Sequence, residues 1–298
     1  MIMKIRSTEI VGTFAEAFKM WGARVIVTAA TKQWSQAAAQ SMTGFATSVI
    51  GCKCEAGIEG ALTPDQTPDR RPGVSILLFA MDKASVGKRL LERIGQCIMT
   101  CPTTACFNGL NGDETVQVGS QLRYFGDGFQ GSKKLAERRF WRIPVMDGEF
   151  TVEESFSVQP AVGGGNIIIL GTNEKNTLAA AGAATRAMGS IKDIILPFPN
   201  GVVRSGSKVG SRYKALPAST NDAYCPTLKA VTESNLPADV NCALEIVIDG
   251  LTERAVRDAM TAGIRAAAKP GIRQITAGNY GGNLGQYKID LHELDLTA

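Results

Sequence analysis

The order in which two hydrophobic periods alternate along this chain restricts its fold more than any single motif does. Short runs of aliphatic and β-branched residues alternate with stretches whose apolar residues recur every three or four positions, the signatures of strands and helices. In the first half, RVIVTAA (24–30) reads as a strand. A helix follows over 31–42 with Trp34, Ala38 and Met42 four apart, and ATSVIGC (46–52) reads as a second strand. A Pro-rich loop leads to VSILLFA (74–80) and then to a helix over 85–100. That helix carries Leu90, Ile94, Cys97, Ile98 and Cys101 on its stripe and is closed by Pro102. Extended pieces are expected near 104–107, 121–126 and 139–145.

After Gly148 the order restarts. NIIILGT (166–172) is a strand, and an Ala-rich helix over 173–190 places Leu178, Ala181, Gly182, Thr185 and Met188 on one face. DIILPFP (193–199) and ALEIVIDG (243–250) are strands. Thr252 is a suitable N-cap for a helix to Lys269, with Val256, Met260, Gly263 and Ala267 on its stripe. IRQITAG (272–278) and QYKIDL (286–291) close the chain. Each half thus reads strand–helix–strand, a loop, then strand–helix–strand, the ferredoxin-like plan. The halves share no clear sequence identity, so the duplication rests on element order. The expected fold is α+β with two ferredoxin-like (βαββαβ) lobes, 1–150 and 151–298, and the chain is long enough for two cores.

Composition removes several function classes. A net charge of +4 with scattered basic residues and 6% aromatics gives little support to nucleic-acid binding. No apolar run approaches the length of a membrane span, and MIMKIRSTEI lacks the pattern of a secretory signal. Seven cysteines, an odd number, fit reduced thiols in a cytoplasmic protein better than a disulfide framework. Cys97, Cys101 and Cys106 lack iron–sulfur spacing. A single histidine, His292, excludes a His-based triad or His-rich metal site within one chain. The expectation from these residues is no metal site.

The chemistry-bearing candidate is Glu245, inside the apolar run NCALEIVIDGL. Side chains alternate across a strand, so Leu244, Ile246 and Ile248 share one face while Ala243, Glu245, Val247 and Asp249 share the other. If that carboxyl is closed in without a cation, its pKa rises and it can donate a proton near neutral pH. The plainer alternative is the solvated face of a half-buried strand. The aperiodic stretch 200–240 interleaves Arg204, Lys208, Arg212 and Lys214 with Gly and Ser, including Ser207 and Ser211, which suits an anion. STNDAYCPT adds Ser219, Thr220, Asn221 and Asp222, suited to a polar heterocycle. AGNYGGNLGQY (277–287), with Asn279, Tyr280 and Asn283, permits close backbone approach to a ligand. A mobile loop and a wide hairpin are the plainer readings of these two stretches.

TFAEAF, RVIVTAAT, CKCEAGIE, RIGQCIMTCPT, YFGDGF, PVMDGEF, PFPNGVV, SGSKVGS, LPASTNDAYCPT, EIVIDGL and TAGNYGGNLGQY occur in this order. In them the chain resembles, over nearly its whole length, the formylmethanofuran:tetrahydromethanopterin formyltransferases. The resemblance implies transfer of a formyl group between the methanofuran amine and N5 of tetrahydromethanopterin, both bound as co-substrates, with no metal and no tightly bound cofactor. It implies a homotetramer built from dimers and a catalytic acid at Glu245. The pI near 8.7 resembles the bacterial, methylotrophic version. There the enzyme serves formaldehyde oxidation in a formyltransferase/hydrolase complex, with flux from formyl-tetrahydromethanopterin toward formyl-methanofuran. Two rivals stay open: covalent catalysis through Cys225, and a non-catalytic cofactor-binding or scaffold subunit.

Overall fold

In a computed structural model of the chain, residues 3–296 are described. They form a mixed α/β fold containing a large sheet, and the chain divides into two compact units, Met20–Ala161 and Met1–Lys19 with Val162–Ala298. The first nineteen residues thus group with the C-terminal half. A division drawn by residue order near 150 does not express that exchange.

In the unit Met20–Ala161 the strands are β1 (Phe14–Thr28, from Met20 onward), β2 (Glu55–Leu62), β3 (Gly73–Ala80) and β4 (Ala105–Asn108). Helix α1 (Lys32–Thr43) follows β1 and helix α2 (Lys83–Arg93) follows β3. β3 pairs antiparallel with both β1 and β2, and β1 pairs antiparallel with β4, giving the order β2–β3–β1–β4. All eight residues of β3 are buried, as a central strand covered on both faces requires. A meander from Gly131 to Glu153 extends the sheet beyond β4.

The sequence expectations differ from this unit in three places. β1 begins at Phe14 rather than 24. ATSVIGC is not a strand: Ser48 caps a helical turn over Val49–Cys52, accepting from the Ile50 N–H, and Lys53 ends it at φ +68°. The strand lies three residues on, at Glu55–Leu62. The segment 121–126 is helical rather than extended, held by turns over Gly119–Leu122 and Arg123–Gly126.

The second unit repeats the order. β5 (Ser155–Gly171, from Val162 onward) is followed by α3 (Glu174–Met188), β6 (Ile194–Ile195), β7 (Cys242–Gly250), α4 (Glu253–Ala267), β8 (Ile272–Thr276) and β9 (Tyr287–Asp290). β5 pairs antiparallel with β7 and β8, and β7 with β6, giving β6–β7–β5–β8. β9 pairs with the start of β1. Thr252 is the N-cap of α4 as expected, its hydroxyl accepting from the Ala255 N–H. Ile167, Ile169, Ile246 and Ile248 pack with α3 and α4 in the unit's main core. Helix α3 turns Ala180, Ala181, Ala184 and Met188 inward, so Leu178, expected on the buried face, is 55% exposed. Only Ile194 and Ile195 of the expected 193–199 strand pair, since the prolines that follow cannot donate to a ladder.

Candidate active site

The alternation of β7 delivers its two faces to different environments. Leu244, Ile246 and Ile248 meet the helix core. On the opposite face, Ile168, Leu170 and Ala243 are covered by Leu236, Val240 and Tyr224 of the 200–240 segment, a small apolar cluster of its own. Glu245 lies on this second face, opposite Ile168 in the register of β5. Its other backbone edge pairs with Val203, which donates its N–H to the Glu245 carbonyl at 2.7 Å and accepts the Glu245 N–H at 2.9 Å. That bridge brings Arg204 beside the carboxyl.

The resulting cleft, about 40 Å³, is lined by Ile168, Val203–Gly206, Asn221, Tyr224, Cys225 and Ala243–Glu245. It has room for one small group or a few waters. Glu245 is half-buried in this mixed polar and apolar lining, no ion pair to it is formed among the described residues, and burial pushes its pKa up to about 7. Tyr280 is close enough to feel this charge. Burial first, and then Glu245, hold its phenol above the ordinary tyrosine range, against a hydrogen bond with Ser207. Tyr224 also borders a second, polar recess of about 460 Å³ that includes Glu9, Thr13, Asn235, Gln274, Thr276 and Asn279.

The structure therefore gathers Glu245, Arg204, Ser207, Asn221 and Tyr280 around one point. Other candidates have structural engagements. Lys208 gives its charge to both Asp222 oxygens at 2.7 Å. This pair lowers the Asp222 pKa. Ser219 donates to the Gly210 carbonyl across the Lys208–Val209/Ala218–Ser219 hairpin, and Ser211 accepts from the Tyr213 N–H. Thr220 lies 3.4 Å from the Cys225 sulfur, whose thiol donates to the Asn221 carbonyl at 3.3 Å. Asn279 ties its loop to Thr13 and the Phe14 carbonyl, and Asn283 is exposed away from the cleft lining.

Glu16 is the residue that the sequence reading passed over. It is 1% exposed and sits between the fully buried Ala15 and Ala17. Its carboxylate accepts backbone N–H groups from Tyr280 (2.6 Å), Gly282 (2.9 Å), Leu284 (2.6 Å) and Gly285 (2.6 Å). Burial pushes its pKa up, but the four donors outweigh it and the net position is below the ordinary value. The available signal was FAEAF, a carboxylate inside a strand of small apolar residues. His292 also serves structure, its ring bonded to the Ile10 carbonyl at 2.8 Å. Among the described residues, no three His, Cys, Asp or Glu side chains converge as a metal site, and no helix is long and apolar enough to cross a membrane.

Two family models match the chain. One, described as formylmethanofuran-tetrahydromethanopterin formyltransferase, covers residues 3–145, and one described as its proximal lobe covers 148–294. A formylmethanofuran–tetrahydromethanopterin formyltransferase from Methylobacillus flagellatus is 56% identical, over 98% of this chain and 99% of that one. The chain also superposes with TM-score 0.96, at 51% identity and 99% coverage of both chains, on a solved chain. That chain belongs to the formyltransferase/hydrolase complex of Methylorubrum extorquens, crystallised with methylofuran. For the Methanosarcina barkeri formyltransferase the TM-score is 0.93 at 47% identity, covering 98% of this chain and all of that one.

Proposed function

We propose that this chain, which belongs to the formylmethanofuran-tetrahydromethanopterin formyltransferase family, moves a formyl group between N5 of tetrahydromethanopterin and the amine of a methanofuran-type co-substrate. The observation that carries the mechanism is the half-buried carboxyl of Glu245 at the wall of this cleft, its pKa raised by burial to about 7. The acceptor amine attacks the formyl carbon, a C–N bond forms, and the carbonyl π pair moves onto oxygen. Collapse expels the donor nitrogen. Glu245 protonates that nitrogen and regains a proton from the attacking amine, so its protonation state is restored each turnover. Tyr280 and Ser207 offer neutral hydroxyl donors for the oxyanion, each such donor contributing about 10²–10³ in rate. Arg204 provides positive charge for an acidic co-substrate, and the polar recess beyond Tyr224 takes an uncharged, hydrogen-bonding part of one.

Similarity to the Methylobacillus protein and to the Methylorubrum complex chain supports the bacterial setting. In it the chain is a cytoplasmic subunit of a formyltransferase/hydrolase complex in formaldehyde oxidation, and its copies form a dimer of dimers. The repeated order β2–β3–β1–β4 and β6–β7–β5–β8 supports ferredoxin-like lobes.

Purified protein given formyl-tetrahydromethanopterin and a methanofuran tests the reading, with pterin absorbance as the signal. Turnover is expected. Binding of both without turnover would assign the chain a non-catalytic role. Cys225 lines the same cleft and so keeps the covalent route testable. Its thiol is engaged with a carbonyl, so Cys225→Ser should retain most turnover, and complete loss with a trapped thioester would establish the covalent route.

A further inference from the structure

We propose that Glu16 is a positioning residue for this reaction: its carboxylate fastens the glycine-rich loop 279–285 so that Tyr280 stands beside Glu245. The inference rests on the acid role of Glu245. It starts from four N–H donors converging on one buried carboxylate, an anion-binding concavity whose anion belongs to the same chain. Two donors reach each oxygen, so the loop is held on both sides.

The loop's composition follows from that grip. Gly282 has φ +72°, a conformation L side chains rarely adopt. Gly285 sits so close to β1 that an added Cβ would lie 2.5 Å from the Ala17 carbonyl oxygen and 2.6 Å from Glu16 Cγ. The other supports hold the ends of the loop. Asn166 accepts the Gly278 N–H at 2.6 Å and donates to the Gly278 carbonyl. Gln286 accepts the Lys19 N–H at 2.8 Å. Between those ends Glu16 is the anchor, and the first of its donors is the Tyr280 N–H itself. The Tyr280 ring then leans on Phe18, with centroids 6.1 Å apart, and its hydroxyl bonds Ser207 near Glu245. Three parts of the sequence, TFAEAF, SGSKVGS and AGNYGGNLGQY, thus meet through one carboxylate and one phenol.

The charged and titratable groups around the two ends of this chain of contacts are few. Lys288 lies opposite Glu16 in the β1–β9 register. Arg204, Tyr224, Cys225 and Tyr280 surround Glu245. When the loop loosens, the half-buried Glu245 is opened further to water and its proton is held less tightly.

The test compares wild type with Glu16→Gln and Gly285→Ala. Glu16→Gln sets an amide donor against two N–H groups, while Gly285→Ala lifts the loop without altering the charge. Each folded variant should lose about tenfold or more in kcat, and its alkaline pH limb should move down by about one unit. Glu16→Asp should recover part of both. In wild type, the amides of Tyr280, Gly282, Leu284 and Gly285 should exchange slowly with solvent. Folded variants with wild-type kcat and an unmoved limb would overturn the proposal. So would unprotected loop amides in wild type, a measurement that stands even if no variant folds. A wild type that is inactive, or whose limb survives Glu245→Gln, would defeat the acid role of Glu245 instead.

Discussion

Glu16 and Glu245 both interrupt apolar strands, and their surroundings are opposite. Glu16 receives four backbone N–H donors, and its carboxyl titrates below the ordinary range despite burial. Glu245 receives no compensating charge, and burial alone carries its carboxyl to about 7. Other strand carboxylates also have partners. Glu59 takes a two-pronged contact from Arg24 at 2.7 Å and a hydroxyl from Ser75, and Glu153 is paired with Arg138. A buried carboxylate without a partner costs several kcal/mol, so such groups are ordinarily compensated. Glu245 forms no ion pair among the described residues, and it lines the same cleft as Arg204 and Cys225. The contrast teaches that one carboxylate holds the loop while the other is left free to exchange its proton.

Removing the exchangeable proton gives the largest expected effect. Glu245→Gln should lower turnover by about 10²–10⁴ and abolish the alkaline limb, read by steady-state rates across pH. Stability should respond in opposite directions at the two glutamates. The folded pKa of Glu245 is raised, from 4.5 to about 7, so its contribution to stability falls as pH rises from about 4.5 to about 7 and stays low above that. Glu245→Gln should therefore be more stable than wild type at pH 8–9, by on the order of 1–3 kcal/mol, and equal to it only below about pH 4. The folded pKa of Glu16 is lowered. Its stabilisation is present above the ordinary carboxyl range and lost as pH falls through the folded value. Glu16→Gln should cost about 3–5 kcal/mol at neutral pH, measured by denaturant melts.

Giving Glu245 a partner should make it resemble Glu16. Val247 is two residues along the same face, so Val247→Lys places a cation roughly 7 Å away. The alkaline limb should fall by about one pH unit, and turnover at neutral pH should fall about tenfold. An unmoved limb would mean that charge does not govern this carboxyl.

The smallest effect separates the two basic residues of the polar segment. Arg204 lines the cleft, whereas Lys208 is committed to Asp222. Arg204→Ala should raise KM for an acidic co-substrate about tenfold, with the effect shrinking in salt. Lys208→Ala should change KM less than threefold, its exposed ion pair to Asp222 being screened by solvent. Equal KM effects would remove the distinction.

Much of this was legible in the residues, and the limits have physical causes. Alternation along β7 placed Glu245 on the face away from the helix core, because period two is a property of any strand. Whether that face is wet or closed depends on Leu236, Val240 and Tyr224, which arrive from a segment without periodicity. Glu16 was hidden because its partners are backbone N–H groups, and main-chain donors leave no mark on residue type. The segment 46–52 misled because its β-branched residues outweighed Ser48, whose capping bond decided the turn. Leu178 misled because the buried face of this helix runs through Thr177, Ala180, Ala181, Ala184 and Met188, leaving Leu178 outside it. Among the candidates of the polar segment, residue type alone did not separate Arg204 from Lys208, since the Lys208–Asp222 pair forms across the segment's fold.

The carboxyl of Glu245 holds its proton near neutral pH because burial disfavours its charged form. Carbon-detected NMR titration of glutamate side-chain carboxyls, in wild type and Glu245→Gln, measures this without reference to turnover. The expected result is one carboxyl titrating near pH 7 in wild type and absent from the variant. A wild type in which every glutamate carboxyl titrates below about pH 5 would contradict the account.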